Sequence, residues 1–170
     1  MFDETRFQQE LKCYKEGFAK WFSGKGGEKY KWQAVKWFQD HWDIEAADFA
    51  GMLKESLAKT DNLLAFQNNF ARGMICGFAN LHPEKVREMF RALFDESRAV
   101  VERIEAFKGQ SKELLKKDPN HVKNHYQDEH AISVYLWLRY PEKYYIYKIS
   151  VLKVAAKALG CQYSFKDGEY

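Results

Sequence analysis

Two stretches of the chain set basic side chains among aromatic rings. The first runs through Lys29, Tyr30, Lys31, Trp32, Lys36 and Trp37. The second gathers Lys123, His125, Tyr126, Arg139, Lys143, Tyr144, Tyr145 and Lys148. Lysine and arginine neutralise phosphates, and flat rings stack on bases or clamp one that has left its stack. A nucleic-acid surface would be built from these types. The same residues are also what a helix shows when its tryptophans pack inward and its lysines are solvated. Composition favours surface rings: 16% of the chain is Phe, Trp or Tyr, more than a small helical core needs.

Reactive signatures are absent. The sequence has no HExxH, GxSxG, dinucleotide fingerprint or Walker motif. Ser23-Gly-Lys-Gly-Gly-Glu28 looks like a phosphate loop but lacks its spacing and a preceding strand, and reads as a helix connector. His121, His125, Asp128 and His130 could be drawn as a metal site, against the plainer reading of a polar loop with surface histidines. Asp128-Glu129 with Lys143 is the nearest arrangement to a metal-dependent nuclease, and helix capping is the plainer explanation of its acids. The expectation is a non-enzyme without metal or cofactor.

The net charge is only +3, so nucleic acid would be held by a local patch and not by a global field. Three scattered cysteines form no CxxC and suit a reducing, cytoplasmic setting. The first residues, MFDETRFQQEL, lack a signal-type apolar core, and no apolar run reaches bilayer length, so no membrane role is expected.

The elements that would position these residues are mostly helices. Apolar spacing predicts helices over 3–22, 28–42, 45–59 (capped by Asp43), 72–80, 83–96 and 97–117. Residues 60–70 read as a loop. Gly73 and Gly77, one turn apart, would let a neighbouring helix approach closely. Arg87, Arg91 and Arg98 fall near an outer face, as solvated partners of Glu84, Glu88, Asp95 and Glu102. Residues 120–128 are a polar connector. Ala131 to Leu138 is too continuously apolar for periodicity to separate helix from strand; β-branched content argues for strand, the upstream Asp128 for a capped helix. Ser150 would cap a last helix closed by Gly160. The predicted fold is mainly α, one compact multi-helix domain over residues 1–170, with room for one short β-hairpin near 131–147.

Three segments resemble the N-terminal region of McrB-like proteins: EKYKWQAVKWFQDHWDIEAADFAGML, VREMFRALFDES with the following RIEAF, and NHYQDEHAISVYLWLRYPEKYYIYK. Those proteins are AAA+ GTPases of modification-dependent (type IV) restriction systems. The resemblance spans residues 28–160. It implies a module that recognises DNA, often with modified cytosine such as 5-methylcytosine, in anti-phage defence. A GTP-driven motor in cis and an McrC-type nuclease in trans would do the cutting. This chain has no nucleotide-binding motor motifs, so the resemblance implies a recognition module alone. McrB N-terminal modules differ in fold, so no contact residue carries over from them. Two rival functions stay open. One is a protein-interaction or sensor domain attached to a defence effector, its rings serving as interface anchors. The other is a small metal-dependent hydrolase around His121, His125 and Asp128.

Overall fold

The computed structural model describes residues 3–23, 27–65, 70–119 and 122–161. Its elements are α1 (Glu4–Ser23), α2 (Lys29–His41), α3 (Phe49–Ser56), α4 (Asp61–Leu64), α5 (Ala71–Leu81), α6 (Pro83–Phe94), α7 (Val100–Lys116), α8 (Glu129–Arg139) and α9 (Ile149–Ala158). No strand occurs among the described residues, so the fold is mainly α and the hairpin near 131–147 is not formed. No helix among them is long and apolar enough to cross a membrane. The chain divides into two compact units, residues 33–146 and residues 1–32 with 147–170; α2 runs through the division.

In the larger unit, α6 packs against α3, α5, α7 and α8. Its Phe90 is fully buried and meets Trp42, Phe107 and Tyr135 edge-on, with ring centroids 5.2, 5.3 and 5.2 Å away. Edge-to-face contacts suit the aromatic quadrupole and add to what burial alone contributes. α8 supplies the other wall. Every side chain from Ala131 to Leu138 is buried, so this helix has no polar face for periodicity to reveal. The Asp128 carboxylate accepts from the Ala131 amide at 2.9 Å and starts the helix. That cap settles helix over strand.

Arg87 departs from the expected solvated position. It is 5% exposed. Its guanidinium donates to the carbonyl of Ile44, to that of Ala46 at 2.9 Å and to Glu84 at 3.0 Å, and lies over the Phe49 ring. This explains a second departure. With the carbonyls of Ile44 and Ala46 taken by Arg87, α3 does not begin near residue 45. It begins at Phe49, capped by Asp48, whose carboxylate accepts from the Gly51 amide at 2.9 Å. Asp43 instead accepts from the Glu45 amide at 2.9 Å in a turn. The stretch 60–70, read as loop, contains α4, which buries Leu63 and Leu64.

In the smaller unit, α1 carries Tyr14, Phe18 and Phe22 one turn apart, with successive ring centroids 5.7 and 5.2 Å apart. Lys148, not Ser150, occupies the N-cap of α9. Gly160 closes that helix at φ 67°, a left-handed conformation that favours glycine.

Candidate nucleic-acid interface

The first basic-aromatic stretch lies along α2. Lys29, Lys31 and Trp32 belong to the smaller unit, Lys36 and Trp37 to the larger. Lys31 pairs with Glu28, and Lys36 with Asp40 at 2.8 Å. Lys29 and Trp32 are exposed. Trp37 is committed to packing. Its indole N–H donates to the Glu55 carbonyl at 2.8 Å, its ring stacks on His41 at 4.0 Å, and Lys59 lies 5.0 Å above it. This ring joins α2 to α3.

The second stretch is divided by α8. The helix has 11 residues, which at 1.5 Å each separate its ends by about 16 Å. Lys123, His125 and Tyr126 precede it; Arg139 is its last residue, and Lys143, Tyr144 and Tyr145 follow it. Lys148 belongs to the smaller unit.

The corner before α8 turns inward. Gln127 is fully buried and holds it. Its amide donates to the Ala71 carbonyl at 2.8 Å and to the His125 carbonyl at 3.0 Å. Its carbonyl oxygen accepts from the buried Tyr135 hydroxyl at 2.8 Å. The Gln127 amide N–H in turn donates to His125 Nδ1 at 2.9 Å. Burial, and then the nearby Lys112, push the His125 imidazole below its ordinary value. Tyr126 takes a left-handed φ of 55°, tied by its amide to Asn124 Oδ1 at 2.9 Å, with its ring edge-on to Phe70. Lys123 is exposed.

The corner after α8 turns outward. Tyr145 is 83% exposed. Arg139 and Lys143 both lie over the Tyr140 ring, at 5.4 and 5.7 Å, and the Tyr140 hydroxyl donates to the Phe94 carbonyl at 3.1 Å. Cations over a ring keep their heads in water while the ring orients them. Behind them Arg103 is 3% exposed and donates to the Leu93 carbonyl at 2.7 Å and to the Tyr144 hydroxyl at 2.6 Å. Tyr144 donates onward to Glu96 at 3.2 Å, and Lys143 pairs with Glu96 at 2.7 Å. The bond from Lys143, then that from Tyr144, hold the Glu96 carboxyl below the usual carboxylate range.

Sequence reasoning missed Gln127, Glu96 and Arg103. Gln127 sits in a polar run with no period. Arg103 and Glu96 lie 41 and 48 positions from Tyr144 in the chain, and only packing brings them together.

The metal and nuclease readings find no support here. His121 lies outside the described residues. Among the described residues no three His, Cys, Asp or Glu side chains gather to hold a cation. Asp128 caps α8, Glu129 pairs with Lys108, and Lys143 stands at the other end of the helix. The acids and the lysine do not converge.

A cleft of about 500 Å³ lies along α3 and α5, with Lys54, Arg72, Gly73, Cys76 and Gly77 among its lining. A Cβ added to Gly73 or Gly77 would meet nothing within 4 Å, so these glycines face open space and not a close-packed helix. Arg72 in the same cleft is paired with Asp61 at 2.6 Å. Burial pushes the Cys76 thiol up to about 11.

The class these features define is an all-helical chain, over its described residues, with one inward and one outward polar corner at the two ends of α8. No family model, curated protein or solved structure matches it.

Proposed function

We propose that this chain is a DNA-binding specificity module of an McrB-like modification-dependent restriction system, without catalytic activity of its own. The observation that carries the reading is Tyr145, 83% exposed in a segment that also carries the exposed Arg139 and Lys143. An open ring offers a base-stacking platform, and basic residues of the same segment could contact phosphates. The resemblance of residues 28–160 supplies the system: an AAA+ motor in cis and an McrC-type nuclease in trans, in a cytoplasmic setting. Lys29, Trp32, Lys123 and Lys148 are exposed as well.

The test is titration of the protein against duplexes with and without 5-methylcytosine, at rising salt. Binding should be visible at low salt, and its logarithm should fall linearly with the logarithm of salt concentration. No binding at low salt overturns the reading. A protein-interaction or sensor surface is the second reading. The pairing of Lys31, Lys36 and Lys143 with carboxylates favours it, because it removes positive field from both stretches. That reading predicts a protein complex that survives high salt and is lost on Tyr145→Ala.

A further inference from the structure

Four groups at the outward corner form a directed chain of hydrogen bonds. Arg103 can only donate, so the Tyr144 oxygen must accept from it at 2.6 Å. The single phenolic proton is then left to point at Glu96, 3.2 Å away. Lys143 meets the same carboxylate from its own side at 2.7 Å. Two donors therefore converge on one anion, and a buried cation fixes the direction of one of them. Arg103 is itself held by the Leu93 carbonyl at 2.7 Å. The anion that fills the position is the removable part. Glu96 lies in the turn between α6 and α7, outside any helix, with a side chain 32% exposed.

We propose that Lys143 and Tyr144, the latter positioned by Arg103, form an oxyanion slot for a phosphate group, and that Glu96 is its resident stand-in. Lys143 meets Oε2 of Glu96 and Tyr144 meets Oε1, and two oxygens of a tetrahedral phosphate can accept from an ammonium and a hydroxyl as the two carboxylate oxygens do. A phosphate entering the slot displaces Glu96 into water by a small movement of the 95–98 turn. The carboxylate thus gates the slot by competition and makes the corner discriminate against weak anions. The assignment of the ligand as a nucleic-acid backbone phosphate rests on the DNA reading above. The slot itself rests on the donor geometry.

The experiment uses Glu96→Gln, which keeps shape and removes the charge. Inorganic phosphate and a DNA duplex are titrated separately into the wild type and the variant. Backbone chemical shifts at Lys143 and Tyr144 report the first; affinity against salt reports the second. Glu96→Gln should take up inorganic phosphate at these residues more tightly than the wild type. It should also bind duplex several-fold more tightly, with a log–log salt slope steeper by about 0.9, as expected for one additional phosphate contact. Adding Lys143→Met or Tyr144→Phe should abolish both gains, and Lys143→Arg should retain them. If Glu96→Gln gains neither phosphate nor duplex binding, the slot is wrong. If the gains persist in the Lys143→Met and Tyr144→Phe double variants, they come from surface charge alone, and the slot is again wrong. If Glu96→Gln takes phosphate at Lys143 and Tyr144 while no form binds duplex, the slot stands and the DNA reading falls.

Discussion

The two corners of α8 have similar compositions and opposite fates. Each combines a basic residue, a tyrosine and a hydrogen-bonding side chain. Before the helix, Gln127 turns its polar atoms into the core and ties the corner to Ala71 and Tyr135. After the helix, Tyr145 leaves the core altogether. The difference follows from what each corner must satisfy. A buried amide or hydroxyl without a partner is costly, so Gln127 and Tyr135 need one another. In the 139–145 corner the buried hydrogen bonds are made by Arg103 and Tyr140, Lys143 is paired with Glu96, and the outermost ring, Tyr145, stands in water. Among similar residues, those not needed to satisfy the interior are the ones that can meet a ligand.

Four measurements can break or sharpen this contrast. The largest effect should come from Gln127→Ala. It strands the buried Tyr135 hydroxyl and removes the tie to Ala71, and should cost about 2–3 kcal/mol in denaturant unfolding. Among molecules still folded, duplex binding should be unchanged; a specific loss of binding would make the inward corner a contact site. Tyr145→Ala should do the reverse. Stability should move by less than about 0.5 kcal/mol, while duplex affinity should drop about tenfold through loss of one stacked base. An unchanged affinity would remove the ring from the contact.

A smaller effect of opposite sign is expected on α5, the platform that receives Gln127. Gly77→Ala places a methyl in open space and improves helix propensity, so it should stabilise by about 0.5–1 kcal/mol. Destabilisation would show that something approaches this face after all. The smallest effect is a pH dependence at His125. Its folded value lies below the ordinary 6.5. Between those two values the unfolded chain binds more protons than the folded one, so stability falls as pH drops below about 6.5 and levels off below the folded value. Protonation also removes the Nδ1 acceptor that Gln127 uses. Thermal melting across pH 5 to 8 should show this slope, and His125→Asn should flatten it. An equal slope in the variant would assign the effect to another group.

Helices with one apolar stripe were legible from spacing alone. α6 is the clearest case: Val86, Met89, Phe90 and Leu93 repeat at the helical period and all are buried. Cap chemistry was legible where the cap was local, as at Asp128 and Gly160. It failed at Asp43, where a distant arginine claimed the carbonyls that an earlier helix start would have used. Arg87 itself looked solvated because charge patterning sees only neighbours along a helix. Its interior partners lie 43 and 41 positions away. The candidate site was legible as a composition and not as a place. Types and spacing marked Arg139 to Tyr145, but equally marked Trp37 and His125, which packing has taken.

The amino-acid sequence by itself determined the helical class, most helix positions and the burial of residues 131–138. These depend on interactions within a few residues and on the total apolar content, both of which a linear pattern records. Tertiary structure alone decided which arginines are interior, which polar corner faces inward, and that Glu96, Arg103 and Tyr144 share one hydrogen-bonded chain. Those outcomes depend on pairing polar groups far apart in sequence. The cost of leaving one unpaired in the interior selects the partner, and no local period carries that information.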